Sequence, residues 1–179
     1  MKMIFQTLRL HIRRLEKKDS SLFCEMMSDP KVMNPIPANI LSQSESELKL
    51  SELMAADKNH DTRAWRVWCI TEKGKKALIG ICGFLKNDDG DEEIAYRFRS
   101  EYWGIGLGTE IAEGLIEYGF TTLMAKKITA DVNIENVKSE KILKKFMSPV
   151  KEFYNKKDRC TDRRYEVLRS NWKLAKNSI

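Results

Sequence analysis

Cysteine and histidine are scarce in this sequence. Its 179 residues include four cysteines and two histidines, and no two cysteines form a C-x-x-C pair. Structural zinc sites take four Cys or His ligands, usually from such closely spaced pairs, so we expect no metal. Cys69 and Cys82 lie in apolar segments, where a reduced, packed thiol is the commoner state. This usage is typical of a cytoplasmic protein.

Long hydrophobic runs are missing as well. A membrane-spanning helix needs about 20 consecutive apolar residues, and the segment 1–19 interrupts its apolar residues with charges. The sequence therefore predicts neither a signal peptide nor a membrane span. We expect a cytoplasmic location and no membrane partner.

Positive charge is in moderate excess, with a formal net charge of +6. Such an excess attracts anionic ligands in general, including a polyphosphate cofactor, an acidic peptide and a nucleic acid. The basic residues are interspersed with acidic ones, and the aromatic-basic pattern of single-strand binders is missing. We therefore expect no nucleic-acid partner, although a binding module without catalytic activity remains an alternative.

Hydrophobic content and length together predict one domain spanning residues 1–179. A chain of this size, 42% of it hydrophobic, can bury about two-thirds of its unfolded surface in a single core. No internal repeat or low-complexity linker divides it. Strand-like and helix-like patterns are mixed along the chain, which indicates an α/β fold.

Alternation and capping signals place the predicted elements. Apolar residues alternate with basic ones over 7–15 and predict an opening strand. Asp19 is predicted to cap a first helix, and Ser42 with Glu45 has the capping-box spacing of a second. The remaining pattern predicts strands over 65–71, 78–85, 93–99, 127–132, 150–154 and 165–168, and helices over 108–123 and 137–146.

Three glycines, Gly104, Gly106 and Gly108, alternate between a predicted strand and a predicted helix. Free backbone N–H groups and the positive end of a helix would converge there, which favours an anion. A Walker loop would need Gly-Lys-Ser/Thr at 108–110, and the dinucleotide-binding G-x-G-x-x-G would need glycine at Thr109. The sequence therefore predicts an anion cradle of another type.

Three motifs occur around this turn: Glu-Ile-Ala-Tyr at 93–96, Tyr-Trp-Gly-Ile-Gly-Leu-Gly-Thr-Glu at 102–110, and Asn-Val-Lys-Ser at 136–139. In this order and spacing they closely resemble the GNAT superfamily of N-acetyltransferases. The nearest branch is the RimJ/RimL type, which acetylates protein N-termini. The resemblance implies a single-domain acyl-CoA N-acyltransferase (GNAT) fold, with a mixed, mostly antiparallel sheet flanked by helices.

The resemblance also implies acetyl-CoA as co-substrate. In the family, the backbone amides of the glycine turn bind the coenzyme A pyrophosphate. The strand before the turn separates from its neighbour there and admits the pantetheine arm. The residues implied in cofactor binding are Phe98, Arg99, Trp103, Gly104, Ile105, Gly106, Leu107, Gly108, Thr109 and Asn136.

Two side chains are implied in catalysis by direct attack of a neutral amine on the thioester. Glu93 matches an acidic position of the family and would act through water as general base. Ser139 matches a serine that protonates the departing thiolate. Structural alternatives remain: Glu93 could balance Arg97 or Arg99, and Asn136 and Ser139 could satisfy free amides at a helix start.

The acceptor is expected to be an amine. An α-amine has a pKa of about 7.7 and a lysine side chain about 10.4, so far more of the α-amine is neutral at pH 7. This favours a protein or peptide N-terminus. A polyamine, an amino acid or an aminoglycoside is the alternative, and a cationic acceptor would place Glu25, Glu45 and Glu47 along the cleft. A monomer and a homodimer both remain open. Phe146-Met147-Ser148 stands where the family usually ends its last helix with Leu-Gly-Phe, and the role of the basic segment after Phe146 stays open.

Overall fold

Eight strands form one sheet in the computed structural model, which describes residues 3–33, 40–58, 65–156 and 158–176. The strands are β1 (Met3–Gln6), β2 (Leu10–Arg14), β3 (Arg66–Glu72), β4 (Gly80–Lys86), β5 (Glu92–Phe98), β6 (Lys127–Asn133), β7 (Ser148–Asn155) and β8 (Cys160–Leu168). Their order across the sheet is β1-β2-β3-β4-β5-β6-β8-β7. The last hairpin thus pairs with β6 through β8.

Helices cover both faces of this sheet. They are α1 (Ser20–Ser28), α2 (Pro30–Met33), α3 (Gln43–Lys58), α4 (Leu107–Thr121), α5 (Val137–Leu143) and α6 (Arg169–Lys176). Buried Phe23 of α1 and Leu53 of α3 pack with Cys69 of β3. Buried Ile111 of α4 packs with Trp68 of the same strand. Because successive strand residues point to opposite faces, the two helix layers bury separate apolar cores.

One seam in the sheet is open. β5 and β6 run parallel, and within the described residues they pair only where Glu92 meets Ile128 and Glu93 meets Thr129. Beyond Glu93, β5 stays paired with β4 as far as Phe98, while β6 stays paired with β8. The two central strands therefore diverge toward the carboxyl end of β5.

The fold class predicted from the sequence is confirmed, and every strand and helix predicted after residue 64 is present. The expectation for the opening strand is wrong in extent. Residues 7–9 form a turn, closed by a hydrogen bond from the Thr7 amide to the Leu10 carbonyl (3.0 Å), so β2 begins only at Leu10. β1 and α6 were not predicted, and β8 begins at Cys160, before the predicted residue 165.

The two predicted helix caps have different outcomes. Glu45 N donates to Ser42 Oγ (3.3 Å) and Ser42 N to Glu45 Oε2 (2.8 Å), so the capping box before α3 is confirmed. Asp19 does occupy the N-cap position of α1, but the predicted side-chain cap is wrong, because its carboxylate makes no capping bond to that helix. Its two carboxylate oxygens instead accept hydrogen bonds from buried Arg13, each at 2.7 Å.

Candidate active site

The glycine turn between β5 and α4 has the conformation that its sequence predicts. Gly104 and Gly106 lie in the left-handed region, with φ of +77° and +84°, which glycine adopts at little cost. Gly106 is the N-cap of α4 and offers no side chain to its amides. The first α4 amide with an intrahelical acceptor is that of Glu110, which donates to Gly106 O at 3.2 Å.

The amides before Glu110 form the candidate anion cradle. Across the described part of the chain, no acceptor bonds the amides of residues 104–109. A Cβ placed on Gly104 would meet no atom within 4 Å, so the space in front of the turn is open. A Cβ on Gly108 would lie 2.8 Å from Ile142 Cδ1. Gly108 thus lets α4 pack against α5, while Gly104 keeps the cradle accessible.

A clamp from the β1–β2 turn holds this cradle in place. Arg9 Nε donates to Glu110 Oε2 (2.6 Å), and Arg9 Nη1 donates to the Ile105 carbonyl (2.9 Å). Thr7 Oγ1 also donates to Glu110 (2.5 Å). Burial opposes ionisation, yet the hydrogen bonds from Thr7 and Arg9 hold the pKa of Glu110 below its usual value. Sequence reasoning gave neither Arg9 nor Glu110 a role.

The opening between β5 and β6 exposes backbone groups of β5. The Arg99 amide donates to Ile79 O (3.0 Å), toward β4. Because backbone groups alternate sides along a strand, those of Tyr96 and Phe98 face the opening. The indole N–H of Trp103 donates to the Phe98 carbonyl (3.1 Å). Of the two predicted backbone contacts, Phe98 therefore borders the opening and the Arg99 amide does not.

A cavity of about 820 Å³ lies along this opening. It is lined by three residues predicted from the sequence, Glu93, Asn136 and Ser139. Among the described residues, the glycine turn, Phe98, Arg99 and Trp103 do not line it. The structure thus brings the two predicted catalytic residues and Asn136 together, beside the turn that would hold the phosphates.

Glu93 lies in the wall of this cavity with a raised pKa. Burial, and then the nearby charge of Asp131, raise its pKa to about 8. Arg164 opposes this rise, but its guanidinium is held by Asp131 through bonds of 2.8 and 2.7 Å. Neither arginine suggested as a structural counterion contacts Glu93, since Arg99 pairs with Glu25 (3.0 Å) and Arg97 contacts two methionine sulfurs.

Asn136 and Ser139 both serve the start of α5. Asn136 Oδ1 accepts a hydrogen bond from the Ser139 amide (3.2 Å) as the N-cap of that helix. The structural role proposed for Asn136 is therefore present, and its Nδ2 stays available toward the cavity. Tyr96 Oη is a buried hydroxyl in the same wall with no hydrogen-bond partner among the described residues, and burial raises its pKa.

Other types of site find no support in the described ranges. No group of three or more His, Cys, Asp or Glu side chains there could hold a metal ion. None of the helices described is both long and apolar enough to cross a membrane. Glu25, Glu45 and Glu47, suggested for a cationic acceptor, do not line the cavity.

Comparison with known proteins agrees with this geometry. Residues 9–146 match the family model described as acetyltransferase (GNAT) domain. The chain is 35% identical over 142 residues to the uncharacterized N-acetyltransferase p20 of Bacillus licheniformis. This match covers 76% of the present chain and 77% of p20. The chain therefore belongs to the GNAT family and is an N-acetyltransferase.

Two solved structures share the fold at low identity. RimL, a ribosomal L7/L12 α-N-protein acetyltransferase in complex with coenzyme A, has a TM-score of 0.76 and 11% identity, with 93% of this chain and 98% of RimL covered. Spermidine N-acetyltransferase of Vibrio cholerae, in complex with CoA and spermine, has a TM-score of 0.74 and 20% identity, with 91% and 97% covered. At these identities the likeness concerns the fold.

Proposed function

We propose that this enzyme transfers an acetyl group from acetyl-CoA to the α-amine of a protein or peptide N-terminus, by direct attack in a ternary complex. The observation that carries the proposal is the cavity at the β5–β6 opening, which has Glu93 in its wall and the glycine turn beside it. The RimJ/RimL resemblance of the motifs supports the same acceptor, and RimL itself is named as an α-N-protein acetyltransferase.

The residues present fit the donor. The amides of residues 104–109 are unbonded within the described chain and lie at the positive end of α4, where a pyrophosphate is favoured. Lys145 Nζ reaches Thr109 Oγ1 (3.2 Å), and Lys138 Nζ lies 5.4 Å from the Trp103 ring centroid, so two cations flank the turn. Acetyl-CoA, when bound, supplies an acyl group activated as a thioester.

The arm of the donor would follow the opening. Phe98 N and the backbone of Tyr96 face it, and an amide-bearing chain can pair with such groups as a neighbouring strand would. Asn136 Nδ2 and the unpaired hydroxyl of Tyr96 are polar groups in the adjoining wall. A buried hydroxyl without a partner costs about 1–3 kcal/mol, and a polar ligand in the opening would remove that cost.

Proton movement would depend on Glu93 and Ser139. A carboxylate whose pKa lies near 8 is a stronger base than an ordinary glutamate and can accept a proton from an amine through water. The α-amine, with a pKa of about 7.7, is well matched to it. Ser139, half-buried at the cavity wall, would donate its hydroxyl proton to the leaving thiolate.

The test is a comparison of acceptors. The purified protein is incubated with acetyl-CoA and one of three amines: a peptide with a free α-amine, an Nα-acetylated peptide with one lysine, or spermidine. Thiol release and product mass are measured. We expect transfer to the free α-amine at least about 10-fold faster than to either other amine. Faster acetylation of spermidine or of the lysine would refute the proposed acceptor.

A further inference from the structure

One cation in the cavity has no anionic partner. Arg97 of β5 lines the cavity, and its Nη1 lies 3.1 Å from Met27 Sδ and 3.0 Å from Met33 Sδ. Thioether sulfur is a weak acceptor. Among the described residues, no carboxylate forms an ion pair with this guanidinium, and burial alone lowers the pKa of Arg97 to about 10.

Three other arginines in or beside the sheet have carboxylate partners. Arg13 pairs with Asp19 (2.7 Å), Arg99 with Glu25 (3.0 Å), and Arg66 with Glu92. Burying a guanidinium without a carboxylate costs free energy. These three arginines meet the requirement for a carboxylate, whereas Arg97, inside the cavity, has no carboxylate partner among the described residues.

Arg97 lies on the same strand as the proposed base, Glu93. Glu93 and Arg97 are four residues apart on the same face of β5, so their Cα atoms are separated by roughly 13 Å. Apolar side chains from α1, α3, β3 and β4 also line the cavity. They are Phe23, Met27, Leu53, Val67 and Ile81.

Among the described residues, four further cations line the cavity: Lys49, Lys86, Lys156 and Arg164. Arg164 pairs with Asp131 (2.7 Å). Lys49 of α3 lies 4.5 Å from the Trp65 ring centroid and pairs with Glu52 (3.2 Å). Lys86 pairs with Glu92 (2.7 Å). Exposed Lys156 has no ion pair among the described residues either. Arg97 differs from it because burial desolvates its unmatched guanidinium.

We infer that the cavity selects acceptors that carry a carboxylate in addition to the reacting amine, and that Arg97 binds this carboxylate. The inference rests on the proposed function and restricts its acceptors to amines that also carry a carboxylate. Guanidinium and carboxylate fit each other through two parallel hydrogen bonds. The separation from Glu93 leaves room for one to three peptide units of about 3.3–3.6 Å each, so an acidic side chain close to a peptide N-terminus fits.

A free amino acid offers the same pair of groups, at closer spacing. Spermine-like polycations would bring positive charge beside Arg97, which disfavours them. The shared chemistry is therefore an amine with a nearby carboxylate, and peptide and amino acid are the two sources to be compared.

The experiment uses acceptor pairs in which an amide replaces the carboxylate. Each kcat/KM is expressed per neutral amine, because leucine's own carboxylate raises the pKa of its amine. The peptide Ser-Asp-Ala-Ala-amide is compared with Ser-Asn-Ala-Ala-amide, and free leucine with leucine amide, each with saturating acetyl-CoA. For the wild-type protein we expect kcat/KM for the Asp peptide to exceed that for the Asn peptide by about 10- to 100-fold, because the hydrogen bonds are charge-assisted. A larger ratio for leucine than for the peptides would assign the site to free amino acids.

Two substitutions test the residue. In Arg97→Met the acid-to-amide ratio of kcat/KM should fall to about one. Arg97→Lys keeps the positive charge but loses the paired N–H donors of the guanidinium, so its ratio should be intermediate. Lys17→Met removes an exposed positive charge outside the cavity and should leave the ratio unchanged. Equal rates for acid and amide in the wild type, or a ratio preserved in Arg97→Met, would overturn the inference.

A binding measurement separates this inference from the proposed function. Should no peptide be acetylated, titration calorimetry of the CoA-bound protein with the Nα-acetylated Asp and Asn peptides measures the preference without turnover. Tighter binding of the Asp peptide that is lost in Arg97→Met would support the role of Arg97 while the proposed function fails. Equal binding of both peptides would refute that role as well.

Discussion

Two regions of the molecule bury charge in opposite ways. At the junction of β2 and α1, Arg13 and Asp19 are both almost fully buried, and their four polar atoms meet in two bonds of 2.7 Å. On the cavity face of β5, Glu93 and Arg97 are desolvated, and neither forms an ion pair with another residue in the described part of the chain. The first arrangement joins a strand to a helix, whereas the second leaves charges available to molecules that enter the cavity.

The difference teaches where function is located in this fold. A matched buried pair contributes to the stability of the fold, since removing one partner leaves the other charge buried and unpaired. Unmatched charges in a cavity cost stability and persist where ligands or protons use them. In our proposal, the protonatable carboxyl of Glu93 and the guanidinium of Arg97 on one strand mark the acceptor side of the site.

The largest expected effect comes from Glu93→Gln. Loss of a general base should lower kcat by about 10²- to 10⁴-fold, because glutamine cannot accept the amine proton. Below pH 7, log kcat/KM of the wild type should rise with a slope of about two, one from the amine and one from Glu93, and that of the variant with a slope of about one. Stopped-assay kinetics from pH 6 to 9 measures both slopes.

The control for this substitution is Glu113→Gln, which changes an exposed carboxylate on α4. Its kinetics should equal those of the wild type. An activity of Glu93→Gln within about threefold of the wild type would show that the base is elsewhere.

Arg13→Met should cause the largest loss of stability. It leaves the Asp19 carboxylate buried without its partner, which costs about 3–5 kcal/mol and lowers the melting temperature by roughly 10 °C at this chain length. Arg97→Met, which places an apolar side chain between Met27 and Met33, should melt no lower than the wild type. Equal destabilisation by both substitutions would remove the distinction between matched and unmatched charge.

The pH dependence of stability should also reveal Glu93. An unfolded glutamate ionises near pH 4.3, whereas the pKa of Glu93 in the folded protein is about 8. Between these values the folded state retains a proton that the unfolded state has lost, so this residue's contribution to stability falls as pH rises from about 4.3 to 8. Burial is the largest cause of this rise in the pKa; the charges of Asp131, Asp162 and Asp88 add to it, and the charge of Arg164 opposes it.

Urea denaturation at intervals of pH from 5 to 9 measures this contribution as a difference between wild type and Glu93→Gln. The variant should gain relative stability as pH rises. A difference that is constant with pH would contradict the raised pKa.

The smallest effect is expected from a matched pair of glycine substitutions. Gly104 and Gly74 have φ of +77° and +78°, and a Cβ on either would meet no atom within 4 Å. Gly104→Ala and Gly74→Ala should therefore destabilise the fold similarly, by about 1–2 kcal/mol. Only Gly104→Ala should weaken acetyl-CoA binding in titration calorimetry, by about 10-fold, because its methyl group enters the cradle. Equal affinities of the two variants for acetyl-CoA would show that the glycine turn does not bind the cofactor.

Much of the fold could be predicted because its signals are local. Alternating residues define β5, three alternating glycines define the turn, and capping-box spacing marks α3. β1 is a short edge strand of four residues with little alternation. In α6, Trp172 is buried against Phe120 and Phe146 from distant elements. β1 carries no clear pattern, and α6 is amphipathic but only eight residues long, so tertiary packing decides whether either forms.

The candidate site could be predicted in its motif residues and not in its electrostatics. Arg97 occupies the polar half of an alternating strand, a position that usually faces solvent. What surrounds it depends on Met27 and Met33, which are more than 60 positions away along the chain. The unmatched state of its charge therefore becomes visible only once α1 and α2 pack against β5. The same holds for the Arg9–Glu110 clamp, whose partners are 101 positions apart.

The most direct test of the donor site is the melting temperature of the wild-type protein alone, with acetyl-CoA, and with NAD. At a ligand concentration of about 100 times the dissociation constant, binding adds about 2.7 kcal/mol, or roughly 5–10 °C for a chain of this length. We predict a shift of this size with acetyl-CoA and none with NAD. A folded protein whose melting temperature does not change with acetyl-CoA would contradict the assignment of the glycine turn and the β5–β6 opening as its binding site.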